Sequence, residues 1–200
     1  MATPTPKAVA SEREVVVILF AETRGFTRTS AMLQPPVVLA RVAQFFTLVQ
    51  KAVVKHGGIV RNVLNDTLMA SFAGKGMGQR AVQATQEIQG GFEDIEESWT
   101  GQFGIRASIA LALHAGEVVI GTVDGPIKGQ PLFVGDSVSI TERLLHRARA
   151  GEVILSKPVM DALAETGFKL EPKPLPALEI PRRDPIPLFG VVRDTRLDFT

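Results

Sequence analysis

The sequence predicts an α+β fold built on a ferredoxin-like βαββαβ core, an antiparallel sheet with helices packed on it. Three observations predict it. A β-branched run, "EVVVILF" at 14–20, precedes a stretch whose apolar residues recur at helical spacing. Two strand-like runs, "GIVRNVL" and "TLMASFA", then stand only two residues apart. A second helical stretch follows and leads into a further strand candidate.

Each element has its own local reason. Residues 1–13 read as a polar tail, and 14–193 as one domain followed by a second tail at 194–200. The run at 14–20 is apolar and β-branched enough for a strand buried on both faces, and 21–36 reads as a loop. From Pro36, a residue suited to a helix start, Val38, Val42, Phe45, Val49 and Val53 mark one helical face, and Gly57 suits its end. Asn65-Asp66 tolerates the left-handed turn of a hairpin between the strands at 58–64 and 67–73. A helix is expected over 77–99, with a weak point at Gly90-Gly91. A strand pair turning around His114 to Gly116, a short strand at 131–135 and a helix from Asp136 to Gly151 follow. Next come a strand at 152–156, a helix over 157–167 and an irregular, proline-rich end before the apolar "PLFGVV". The helices are expected to share one face of the sheet.

Composition narrows the classes of function. The chain has 200 residues, 45% hydrophobic and 22% charged, enough for a substantial core and unlike a disordered or fibrous chain. With 22 basic against 21 acidic residues and no Lys/Arg-rich run, nucleic acid is not the expected partner. No cysteine is present, which excludes disulfides and thiolate metal sites and suits a reducing, cytoplasmic compartment. Three scattered histidines, His56, His114 and His146, suggest no histidine metal site. No apolar run reaches the roughly 20 residues of a membrane span, so no membrane segment is expected.

Four ordered segments then fit one family together. "VVVILFAETRGFT", "HGGIVRNVLNDTLMASF", "SIALALHAGEVVIGTV" and "LFVGDSVSITERLLHRARAGEVILS" resemble, in order and spacing, the signature blocks of class III adenylyl/guanylyl cyclase catalytic domains. The resemblance covers roughly residues 14–170 and implies the α+β fold of that family. It also implies two protomers, a homodimer or a heterodimer with another cyclase domain, sharing a nucleoside triphosphate, ATP first. Two aspartates of one protomer hold Mg²⁺ or Mn²⁺, which helps the ribose 3′-hydroxyl attack the α-phosphate and release pyrophosphate. Hard cations want oxygen ligands, and phosphates and water complete a shell in which the protein supplies one or two carboxylates.

Carried over residue by residue, the resemblance puts the metal positions at Glu22 and Asp66. Glutamate adds a methylene where the family has aspartate, and octahedral Mg²⁺ tolerates misplaced ligands badly. The turn Thr23, Arg24, Gly25, Phe26 and Thr27 falls where backbone N–H groups face phosphates. The base-reading positions fall on Asn62, which has a donor and an acceptor, and on Leu132, which has neither. The transition-state pair falls on Ser139 and Arg143, four apart and so on one helical face. A basic pyrophosphate position is Glu117, of the wrong sign, while Arg182 and Arg183 stand where a phosphate-binding lysine often lies. The Gly-rich "FAGKGMG" around Lys75 lacks P-loop spacing.

Scaffold blocks are thus kept while positions that carry chemistry change. The reading that follows is a cyclase-like domain that binds ATP or a related nucleotide with a divalent metal, cyclises it weakly or not at all, and serves signalling. Two alternatives stand beside it: an active, divergent adenylyl cyclase, and a dimerisation module that binds no nucleotide.

Overall fold

A computed structural model describes residues 8–104, 106–123 and 131–192. The elements are β1 (Ala8–Arg24), α1 (Phe26–Met32), α2 (Pro35–Lys55), β2 (Ile59–Leu64), β3 (Thr67–Ala73), α3 (Met77–Phe103) and β4 (Ser108–Val123). After them come β5 (Leu132–Val134), α4 (Asp136–Arg147), β6 (Glu152–Ser156), α5 (Lys157–Ala164), β7 (Lys173–Leu178) and β8 (Ile186–Val192).

One sheet runs β2-β3-β1-β4-β6-β8-β7, with β5 paired to β4. Its first four strands, joined through α2 and α3, are the ferredoxin-like core, and only the β4–β6 pair is parallel. Alternation along β1 divides the core. Val17, Leu19 and Ala21 face the layer of α2, α3 and α5, where Phe45, Val49, Ile88, Phe92 and Val159 pack. Val16 and Ile18 face the other side, with Met69 and Val118. On that side α4 packs Ile140, Leu144 and Leu145 against Ala110, Ala112 and Ile154. The helices therefore cover both faces, because α4 carries its own apolar stripe and pairs it with alanines of β4.

Several sequence expectations change, each for a contact distant in sequence. The expected tail at 8–13 is strand: Ser11, Glu12 and Arg13 pair with Gly121, Ile120 and Val119, and Arg13 forms an ion pair with Glu117 at 2.8 Å. Residues 1–7 and 193–200 lie outside the described residues. The expected loop at 21–36 instead continues β1 to Arg24, turns at Gly25 with φ +85° and forms α1. Helix α3 passes through Gly90-Gly91 unbroken, and its glycine serves packing: a Cβ on Gly91 would stand 2.5 Å from Leu48 Cδ1 of α2. Strand β4 is one 16-residue strand and not a pair, since Gly116 marks the close approach of α4. Helix α4 stops at Arg147, not Gly151. The proline-rich end forms the β7–β8 hairpin, in which Pro174 and Pro176 sit on edge strand β7, where missing N–H donors cost little. Helix α2 is long and apolar enough to cross a membrane, which the sequence reading did not anticipate; here Phe45, Val49, Ala52 and Val53 on one side of it build the core.

Candidate nucleotide and metal site

The end of β1 and the tip of the β2–β3 hairpin meet because Glu22 pairs with Thr67, the residue after Asp66. Asn65 adopts φ +53°, the left-handed turn that an Asn-Asp dipeptide tolerates, and this brings the Asp66 carboxylate back over β1. There the Thr23 hydroxyl donates to Asp66 Oδ2 at 2.7 Å, and both residues are buried. A charge-assisted bond of this kind fixes the carboxylate orientation and leaves its second oxygen for another partner.

Glu22 and Arg24 leave the strand on the opposite face from Thr23. Arg24 Nη1 donates to Glu22 Oε1 at 2.9 Å, and the two side chains are 24% and 20% exposed. Arg24 Nη2 donates to the carbonyls of Leu145, at 2.5 Å, and Ala148, at 2.9 Å. Leu145 O, in the last turn of α4, also accepts from Ala148 N at 3.1 Å, and Ala148 is the residue that follows the helix; carbonyls at this end carry negative partial charge. The Arg24 side chain is thus spent on α4 and Glu22. Its neighbours Gly25, Phe26 and Thr27 make the turn into α1, and Thr27 O accepts from Ser30 Oγ.

The other predicted positions lie elsewhere. Asn62 is exposed on edge strand β2, just past a bulge at Arg61, with its Oδ1 accepting from Val63 N at 2.8 Å. Leu132 is half-buried on β5, opposite Gly121. Their neighbours meet: the Arg61 guanidinium stacks over the Phe133 ring at 5.1 Å and also donates to Ser71 Oγ. Arg61 is a cation that sequence reasoning did not select; its only signal was adjacency to Asn62. Ser139 and Arg143 share the exposed face of α4, one turn apart, while Ile140 and Leu144 face the sheet. Arg183 is engaged with Asp136 at the start of α4. Among the described residues, no hydrogen bond or ion pair joins Glu22 or Asp66 to Asn62, Leu132, Ser139 or Arg143.

The fit to metal is asymmetric. Asp66, held by Thr23 with one oxygen to spare, suits a hard cation whose remaining ligands are phosphate oxygens and water. Glu22 too has one oxygen engaged, but its partner is the Arg24 guanidinium, a positive charge that a metal ion there would face at close range. No cluster of three or more His, Asp or Glu side chains able to hold a metal occurs among the described residues.

Comparison with known proteins agrees with this architecture. A curated relative, the adenylate cyclase of Anabaena cylindrica, is 27% identical over 138 residues; the match spans 68% of this chain but only 28% of that protein. The crystal structure of the adenylyl cyclase CyaB from P. aeruginosa superposes with a TM-score of 0.83 at 18% identity, covering 94% of this chain and 98% of that one. The catalytic core of a rhodopsin-guanylyl cyclase with converted specificity, in complex with ATPαS, gives 0.78 at 17% identity, covering 92% and 98%. The family profile described as "Adenylate and Guanylate cyclase catalytic domain" matches residues 8–182, and the chain belongs to that family.

Proposed function

We propose that the chain binds a nucleoside triphosphate, ATP first, with one divalent ion, and that cyclisation by it is weak or absent, so that its role is regulatory. The observation that carries this reading is Asp66, buried at the hairpin tip and oriented by Thr23 beside the Gly25 turn. A bound Mg²⁺ or Mn²⁺ would supply charge neutralisation for the triphosphate there. The chain's own groups do the rest: the Gly25 turn lets backbone approach phosphate, and Arg143 offers positive charge from α4. What argues against rapid turnover is equally local. Leu132 cannot read a purine edge, and the Ser139 hydroxyl is shorter than the amide the family uses to place the ribose. A factor of ten in rate is lost for every 1.4 kcal/mol or so of misplacement in such a constellation.

The resemblance implies a site shared between protomers, and that reading is supported by the lack, among the described residues, of any hydrogen bond or ion pair from Asp66 to Asn62, Leu132, Ser139 or Arg143. Two copies, or this chain with another cyclase domain, would complete it.

The test is a panel of nucleoside triphosphates with Mg²⁺ and Mn²⁺, assayed in parallel for binding by calorimetry and for pyrophosphate release. The expected result is Mn²⁺-dependent ATP binding that weakens at least about tenfold in Asp66→Ala, the loss of about 1.4 kcal/mol or more, with little pyrophosphate. Cyclic nucleotide formation at ordinary enzyme rates, abolished by Asp66→Ala, establishes the active cyclase instead. Absence of nucleotide binding with an intact dimer establishes the dimerisation module.

A further inference from the structure

The Glu22–Arg24 pair has a geometry that the family resemblance does not supply. We propose that Arg24 is the resident counter-cation of Glu22 and the strap that fastens β1 to α4, so that the chain takes its metal on Asp66 alone and Glu22 holds none while Arg24 is in place. The metal on Asp66 rests on the function proposed above; the Glu22–Arg24 assignment does not.

Three observations carry it. First, the guanidinium is shared between a carboxylate and two carbonyls: Glu22 Oε1 at 2.9 Å on one nitrogen, Leu145 O at 2.5 Å and Ala148 O at 2.9 Å on another. A planar, permanently charged fork can serve both at once, which a compact ammonium cannot. Second, the pair is largely withdrawn from water, so a cation that captured Glu22 would leave a mostly buried guanidinium short of its anion. A divalent ion placed there would also face Arg24 as a like charge at close range. Third, strand alternation sends Glu22 and Arg24 to the α4 side and Thr23, which holds Asp66, to the other. The two carboxylates are held by partners on opposite faces of one strand. Glutamate rather than aspartate at 22 gives the reach to a guanidinium two residues along the same face.

The strap has a mechanical side. Arg24 ties Leu145 O and Ala148 O at the end of the helix that carries Ser139 and Arg143, so its loss loosens this end, leaving only the cap bonds from Ala148 N, even when Glu22 is unchanged.

The probe is Mn²⁺ alone, titrated by electron paramagnetic resonance into the wild type, Glu22→Gln, Asp66→Asn, Arg24→Gln and the double variant Glu22→Gln/Arg24→Gln. Amide hydrogen exchange across 144–148 reads the strap, and circular dichroism checks the fold. Glu22→Gln is expected to bind Mn²⁺ within about twofold of wild type, and Asp66→Asn at least about tenfold more weakly. Arg24→Gln should gain a second equivalent, or bind about fivefold more tightly, a gain that the double variant loses. Exchange at the end of α4 should rise in Arg24→Gln and stay near wild type in Glu22→Gln. If Glu22→Gln weakens binding as much as Asp66→Asn does, or if Arg24→Gln gains nothing that Glu22→Gln removes, the proposal is overturned. An inert Asp66→Asn sinks the metal role proposed for Asp66 and leaves the Arg24 comparison standing. Should Arg24→Gln fail to fold, Glu22→Gln in the wild-type background still decides, and Arg24→Lys, which keeps the charge but not the fork, reads the strap by exchange.

Discussion

Lowering the pH from 7 to 5 should destabilise the protein by about 2 kcal/mol through His114 alone, and by about 3 kcal/mol once the pH is below 4. His114 sits on β4 opposite Ile18, 5% exposed, with Nδ1 2.9 Å from the hydroxyl of fully buried Ser156. Burial pushes its pKa down from 6.5 to about 4; Asp136 at the start of α4 pulls it up, but by less. Asp136 is itself engaged by Arg183, which limits what it offers the imidazole. The direction follows from proton counting. Above pH 6.5 the ring is neutral in both the folded and the unfolded chain and contributes nothing. Between 6.5 and about 4 the unfolded chain takes up a proton that the native protein does not, so stability falls with pH. Below about 4 the loss is complete.

Two carboxylates titrate nearby in pH and must be separated from it. Glu87, held below its ordinary value by hydrogen bonds with Lys55 and His56, loses its contribution only below pH 4.5. Glu96, raised by burial, acts in the opposite sense, since its protonation on acidification removes a penalty from the native state. The measurement is therefore a difference: urea unfolding at pH 7, 6 and 5 for the wild type and for His114→Gln. The wild type should lose stability across that range while the variant stays flatter by about 2 kcal/mol at pH 5. Parallel pH profiles would show that His114 does not titrate out of a buried site.

What the sequence shows of this protein is what local chemistry writes into it. The strand leading to Glu22, the Asn65-Asp66 turn and the helix beginning at its prolines all follow from residues within a few positions of one another, and the structure has them. The unread parts are contacts between distant positions. Arg24 reaches Leu145 and Ala148 more than a hundred residues away, and Thr23 reaches Asp66 across 43. Periodicity reveals no partner of that kind, so the reading of 23–27 as a backbone phosphate cradle said nothing of what the Thr23 and Arg24 side chains hold. The glycines misled for the same reason. Gly91 and Gly116 were read as breaks in their elements, whereas each is the place where another helix comes too close for a Cβ. The expected tail at 8–13 failed likewise, since charged residues become strand when a long partner such as β4 extends past them.

Gly116 yields the second large effect. A Cβ built there would lie 2.2 Å from Ser137 Oγ and 3.1 Å from Ser137 Cβ, at the first turn of α4. Ser137 is buried and donates to Glu117 O at 3.0 Å, so it has little freedom to rotate away. Gly116→Ala must therefore push the N-terminal turn of α4 off β4 or break that hydrogen bond. Overpacking of this kind costs about 1–3 kcal/mol, and loss of the part-buried bond from Ser137 adds to it, so about 2–3 kcal/mol is expected from unfolding at pH 7.5. At that pH His114, 3.3 Å from the added Cβ at its Nε2, is neutral in both states and does not confuse the result. The cause is checked by a double-mutant cycle with Ser137→Ala, which removes the nearest atom and leaves the tight Cβ. The two substitutions should couple by about 1 kcal/mol, Gly116→Ala costing less in the Ser137→Ala background. Additive costs would mean that the clash is relieved elsewhere in the sheet. Because α4 carries Ser139 and Arg143 on its exposed face, a shift at its start while Arg24 holds its end tilts both side chains. On the proposed function, nucleotide binding in Gly116→Ala should weaken while Mn²⁺ binding, assigned to Asp66 at the C-terminal end of β1, is kept.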